Sequence, residues 1–192
     1  MKLLSLKAIC YRSLRDESVA LNELNLFIGT NASGKSTILD ALRFLHEGVQ
    51  ERDFKPPVFS RGGIVHLGWK GVEARRIELV VRFEKGGDRY KWSVLLHREG
   101  YDFWVQEDVS RLPEEGPPVQ LLRADKGRGW WWSGAKGDRV SLAQPATTCA
   151  LAAAAVDESF PARSVAEFMS RWGFFDPSPF LLRRGWTGLD AS

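Results

Sequence analysis

The octapeptide Gly29-Thr30-Asn31-Ala32-Ser33-Gly34-Lys35-Ser36 constrains this chain more than anything else in it. It satisfies G-x-x-x-x-G-K-[ST] at every fixed position, the pattern of a phosphate-binding loop, or P-loop. Each fixed residue has a physical reason. The glycines let the backbone curl until its N–H groups converge on phosphate oxygens. A helix starting directly afterwards adds unpaired amides and the positive end of its dipole. Lys35 supplies a point charge for the β and γ phosphates, and the Ser36 hydroxyl suits the shell of a Mg²⁺ ion. The candidate nucleotide-binding residues are therefore Gly29, Asn31, Ala32, Ser33, Gly34, Lys35, Ser36 and the adjoining Thr37, with Ser36 also the candidate metal ligand. No residue is assigned a catalytic role.

The flanks agree with the motif. Leu24-Asn25-Leu26-Phe27-Ile28 alternates at first and ends in a continuous apolar run, which predicts a buried central strand leading into the loop. From Lys35 to about Glu47, Ile38, Leu39, Ala41, Leu42 and Leu45 fall at helical spacing, with Gly48 as a stop signal. Residues 3–10 and 18–21 read as strands, and 51–71 as loop. Residues 77–83, 90–97 and 101–105 read as an antiparallel meander, of the kind that lies beside a parallel core. Residues 111–137, rich in Pro, Gly and charge, read as a loop or insert. Helices are expected over 147–156 and 163–172, and the tail 173–192 holds short apolar pieces broken by Pro and Gly.

At 192 residues the chain suits one domain, or one lobe of a larger one. With 44% hydrophobic and 27% charged residues it reads as a soluble globular protein. A net charge of +3 and a pI near 9.0 are compatible with nucleic-acid contact without being diagnostic of it. Cys10 and Cys149 form no CxxC pair, so neither a metal site nor a disulfide framework is expected. The longest apolar run, residues 149–156, is too short to span a membrane. The expected location is the cytoplasm, with no membrane partner.

The N-terminal stretch has a family resemblance. Ile9-Cys10-Tyr11-Arg12-Ser13-Leu14, then residues 26–36, then Leu39-Asp40-Ala41-Leu42 resemble the ABC-type ATPases of the RecF, SMC and OLD kind. They are most similar to the bacterial AAA family ATPases that have ABC-like heads. Trp172-Gly173-Phe174-Phe175-Asp176-Pro177 and Leu181-Leu182-Arg183 look like a segment of the same group. The resemblance implies an α/β P-loop NTPase fold: an ABC-ATPase-like N-terminal lobe, a strand–loop–helix core flanked by an antiparallel sheet. It implies ATP and Mg²⁺ as cofactors. Arg12 would lie near the nucleotide or on the neighbouring surface, and Asn31 in the phosphate loop. A glutamine loop would follow the meander; Gln144 is the candidate, with Gln106 and Gln120 left open. Ala32 stands where many relatives have glycine.

The same resemblance calls for an apolar strand ending in Asp-Glu and an LSGGQ-like signature. Asp157-Glu158 follows an alanine run that favours helix over strand, and no signature motif precedes it. The expectation is one incomplete ATPase domain over residues 1–192 that awaits a C-terminal lobe or a second subunit. When complete it would hydrolyse ATP as a nucleotide-dependent homodimer, with DNA a further partner, in DNA repair or phage defence. Two rivals stay open: a non-hydrolysing, nucleotide-dependent interaction module, and a nucleic-acid-binding fragment with a vestigial P-loop. Trp130-Trp131-Trp132, flanked by Lys126, Arg128 and Lys136, could stack on bases, but a strand whose tryptophans cover a neighbouring surface explains it more simply. Arg75-Arg76, Arg183-Arg184 and the scattered His46, His66 and His97 read as solvated or core-edge residues, and Asp40 as a helix-face or packing residue.

Overall fold

Ile77, Leu79, Val81 and Phe83 alternate with Glu78, Val80, Arg82 and Glu84, so a strand here turns an apolar row to one side. The computed structural model, which describes residues 1–31, 33–69, 75–134 and 137–175, builds a sheet from such rows. Its strands are β1 (Lys2–Tyr11), β2 (Leu14–Ala20), β3 (Arg76–Lys85), β4 (Asp88–Glu99), β5 (Asp102–Leu112), β6 (Val119–Asp125), β7 (Arg128–Ser133) and β8 (Asp138–Ala143). They form one eight-stranded sheet in the order β2-β1-β3-β4-β5-β6-β7-β8, and every pairing is antiparallel. The helices α1 (Lys35–Glu51), α2 (Lys55–Ser60), α3 (Ile64–Leu67), α4 (Ala150–Ala154) and α5 (Arg163–Ser170) complete the described elements.

The helices cover one face of the sheet. Leu79, Val81, Trp92, Val94, Val109 and Leu122 are buried in a single core with Phe44, Leu45, Phe54, Leu151 and Val165. Aromatic contacts mark the seam: Phe54 lies 6.4 Å from Trp92, Phe83 6.1 Å from Phe168, and Trp131 5.7 Å from Phe160, between ring centroids. α1 earns its central place by its stripe, with Ala41, Leu42, Phe44, Leu45 and Val49 all buried.

Several elements differ from the sequence expectation. The segment 24–28 is not a strand, and Leu24, Leu26 and Ile28 are 82–88% exposed. A buried strand needs neighbours along its edges, and β2 closes the sheet without one for this segment among the described residues. Residues 111–137 are not a loop either: β5 runs on to Leu112, and β6 and β7 follow. Charge misled there because it sits on one side of the strands: Arg123 pairs across from Asp108 and Trp130, while Leu122 pairs with Val109 and Trp131 in the core. Lys126 and Gly127 both take positive φ, 52° and 76°, as a two-residue type I′ hairpin turn requires. The prolines fall in the connection before β6.

Within 51–71, expected to be loop, lie α2 and α3; Pro56 and Pro57 open α2, where a missing N–H costs nothing. α4 is shorter than expected because Thr147 and Thr148 are taken up in a turn and a bridge to Asp53, and α5 ends at Ser170. Ala32, Lys136, the stretch from Asp176 through Pro177 and 181–183, and Arg183-Arg184 lie outside the described residues.

Candidate functional site

α1 begins at Lys35, immediately after the phosphate-loop motif. Its N-cap, Gly34, sits at φ 92°, in the left-handed region, and no side chain caps the helix. The first-turn amides are thus left without a side-chain acceptor, which is the arrangement that receives an anion. Gly34 is favoured by its φ, and a Cβ there would lie 3.1 Å from Leu14 Cδ2, so that the leucine would have to give way. The ammonium of Lys35 turns back into the loop. It donates to the carbonyl of Gly29 at 2.8 Å, to Ser33 Oγ at 3.0 Å, and to the carbonyl of Thr30. These bonds hold the loop curled around a positive charge. Asn31, Ser33 and Ser36 are exposed beside it. Thr37 Oγ1 hydrogen bonds to Ser13 Oγ at 2.7 Å and so ties the helix to the turn between β1 and β2.

That turn carries Arg12. Its backbone is held at φ 51°, with its amide donating to Leu67 at 2.7 Å, while the Trp69 amide donates to Cys10 at 3.0 Å. Arg12 Nη1 reaches Asp40 Oδ2 at 2.8 Å. Asp40, one helical turn beyond Ser36, also accepts from Tyr11 Oη at 2.8 Å and Arg61 Nε at 3.0 Å. Arg61 pairs in addition with Glu47 and with the carbonyl of Pro57. Burial alone would raise the Asp40 pKa, but the hydrogen bonds from Arg12 and Tyr11 and the charge of Arg61 outweigh it. The carboxyl is held below its ordinary range. Asp40 is therefore the hub of an ion-pair network and more than a helix-face residue. No local pattern announces this, since its arginine partners are 28 and 21 residues away.

The structure does not bring Gln144 to the loop. Its amide donates to Gly127 on the β6–β7 side of the sheet, and the chain just after it meets the far end of α1. Phe54 donates to Thr147 and Cys149 to Arg52 there. α1 has 17 residues, so its two ends lie about 25 Å apart. Gln106 and Gln120 lie on β5 and β6, where both side-chain amides donate to Asp108. Asp157 and Glu158 fall in the turn after α4, where Asp157 accepts from Ser159 and Glu158 pairs with Arg163. They do not end a strand. Trp131 is buried against Phe160, whereas Trp130 lies under Arg139, whose Cζ is 4.1 Å from the ring centroid. His46 bonds to the Met169 carbonyl, and His97 stacks on Trp104.

A cavity of about 920 Å³ opens beside the loop, with Leu3, Leu21, Phe27, Leu39 and Leu42 in its lining alongside Lys35 and Ser36. Most of its walls come from β1 and the segment leading to the loop, and they carry Lys2, Asn22, Glu23, Asn25 and Glu84 as well, so the groove is mixed in character. Among the described helices none is long and apolar enough to cross a membrane.

Residues 1–91 match the family model of the AAA ATPase domain. The match covers β1, β2, the phosphate loop, α1 to α3, β3 and the start of β4. It supports nucleotide binding and ATPase chemistry as the functional class. No curated protein matches the chain.

Proposed function

We propose that the chain binds ATP with Mg²⁺ through residues 29–37, as the nucleotide-holding part of an ABC-type ATPase. The observation that carries this reading is the Lys35 ammonium seated among the loop's own oxygens, directly before an uncapped helix N-terminus. A curled backbone, a cation held by the loop's oxygens and helix amides without a side-chain cap suit a triphosphate in charge and in donor chemistry. Gly34 lets the backbone approach closely, Lys35 neutralises phosphate charge, and Ser36 offers its exposed hydroxyl to a metal ion. Mg²⁺, when bound with ATP, would supply further neutralisation of the β and γ phosphates. Arg12, held on the adjoining turn, is a further phosphate-facing cation in this reading.

Hydrolysis belongs to a more complete assembly. Leu24, Leu26 and Ile28 present an apolar row to solvent, and Leu3, Leu21, Phe27, Leu39 and Leu42 add apolar surface to the groove beside the loop. A C-terminal ATPase lobe or a second subunit that supplies strands alongside 24–28, and the acidic groups that the chemistry needs, fits that surface. Head-to-head dimerisation and action on DNA, in repair or phage defence, extend the same reading.

Calorimetric titration of ATP–Mg²⁺ into the chain and into its Lys35→Ala variant tests the proposal. Binding that is lost in the variant, with negligible turnover by the chain alone, is the expected result. Equal binding by both proteins, or none by the unaltered chain, would refute it.

A further inference from the structure

Three donors converge on the Asp40 carboxylate, and they are not equivalent. Tyr11 Oη and Arg12 Nη1 share Oδ2, each at 2.8 Å, and Arg61 Nε takes Oδ1 at 3.0 Å. Tyr11 is fully buried. The Arg61 side chain is 7% exposed and that of Arg12 44%. Tyr11 and Arg61 therefore fix the carboxylate from the protein side, one on each oxygen, and Arg12 is the member of the network that reaches solvent.

Arg12 is tied down at both ends. Its backbone adopts φ 51°, a conformation that costs a non-glycine residue free energy and persists only where the surroundings hold it. Here they do: the amide is bonded to Leu67, Tyr11 bridges Gly68, and Ser13 grips Thr37 on the first turn of α1. At the other end, Asp40 is the hydrogen-bond partner of the guanidinium among the described residues. That bond uses one of its donors and leaves the rest for a ligand. An arginine free in solvent loses its rotamer freedom when it grips an anion, whereas one already held has little left to lose.

We propose that Asp40 is a positioning residue for the nucleotide site: it holds the Arg12 guanidinium beside the phosphate loop, so that the donors left free meet the phosphates of a nucleoside triphosphate. This rests on the nucleotide-binding reading above. Asp40 acts through Arg12 and does not itself touch the ligand. Its place on α1, one turn past Ser36, makes the helix that presents the loop also the rail that aligns the arginine.

The test is a double-mutant cycle on ATP–Mg²⁺ affinity, with Arg12→Ala, Asp40→Asn and the two combined, and thermal melting run alongside. Arg12→Ala is expected to weaken binding roughly tenfold, the size of a charge-assisted hydrogen bond. Asp40→Asn should weaken it by a similar factor when Arg12 is present and by almost nothing when Arg12 is absent. Asp40→Glu, which keeps the charge, should recover part of the loss and guards against a folding defect in the asparagine variant. Unchanged or tighter binding by Asp40→Asn overturns the proposal, as does an equal loss in the Arg12→Ala background, which would mark a merely structural role. Those results leave the nucleotide site standing. Absence of binding by the unaltered chain removes the site and the proposal together.

Discussion

The carboxylate of Glu107 accepts the indole N–H of Trp92 at 2.9 Å across the β4–β5 ladder, with both side chains shut away from solvent. The same carboxylate takes the amides of Ala150 and Leu151 at the start of α4, and the Cys149 thiol lies 3.9 Å away. Glu107 thus caps a helix from a strand more than forty positions earlier, and joins the sheet to the helical layer at one point.

Burial pushes the Glu107 pKa up to about 7 from an ordinary 4.5, against the opposing pull of the Ala150 amide, the Trp92 indole and the Leu151 amide. Between those two values the folded chain holds a proton that the unfolded chain has released. The stabilisation is full below the ordinary value and drains away as pH rises through about 7. It amounts to about 3 kcal/mol at most. Urea unfolding at pH 5 and pH 8 should show a larger fall in stability for the unaltered chain than for Glu107→Gln. Parallel pH slopes would mean that Glu107 stays ionised in the fold.

Gly48→Ala is expected to destabilise the chain, although alanine is the better helix former. A Cβ at this position would lie 2.3 Å from Phe54 Cε1 and 2.6 Å from Cδ1. Phe54 cannot step aside, being fully buried and stacked on Phe44 at 5.5 Å. The propensity gain is about 1 kcal/mol, and overpacking of a filled core costs about 1–3 kcal/mol. A net loss of about 1 kcal/mol, read from the shift in urea midpoint, is the expected outcome; a gain would show that the Phe54 ring repacks.

Leu26→Ser and Ile28→Ser should leave stability within about 0.5 kcal/mol of the unaltered chain, because both side chains already face solvent. They should also reduce self-association in sedimentation velocity, since an apolar row with unpaired backbone is a template for pairing. A large drop in melting temperature would instead place these residues in the core of the free chain.

Legibility in the sequence depended on how local each signal was. The loop of residues 29–36, the start of α1 and strands β3 to β5 could be read because spacing within a few residues decides them. The segment 24–28 was read correctly as apolar but not as to where it lies, since burial depends on neighbours that the segment does not encode. β6 and β7 were hidden because Arg123, Asp125 and Arg128 lie on the open side of the sheet, so their charge mimics a loop. The ion pairs of Asp40 are hidden for a related reason: Arg12 and Arg61 approach it from two separate turns. The family resemblance puts a glutamine loop after the meander, and that order says nothing of the length of α1 that separates Gln144 from the phosphate loop.

From β4 onward each strand hydrogen bonds to the one just before it, whereas β1 meets β3 only after the chain has passed through the loop and three helices. Closing a short turn costs little entropy and closing that long excursion costs more. Assembly then has a natural sequence: the meander zips first, and β1, next to the phosphate-loop motif, docks late. Pulse-labelled amide exchange during refolding should accordingly protect β4 and β5 ahead of β1, and the segment that carries residues 29–36 would be the last part of the molecule to mature.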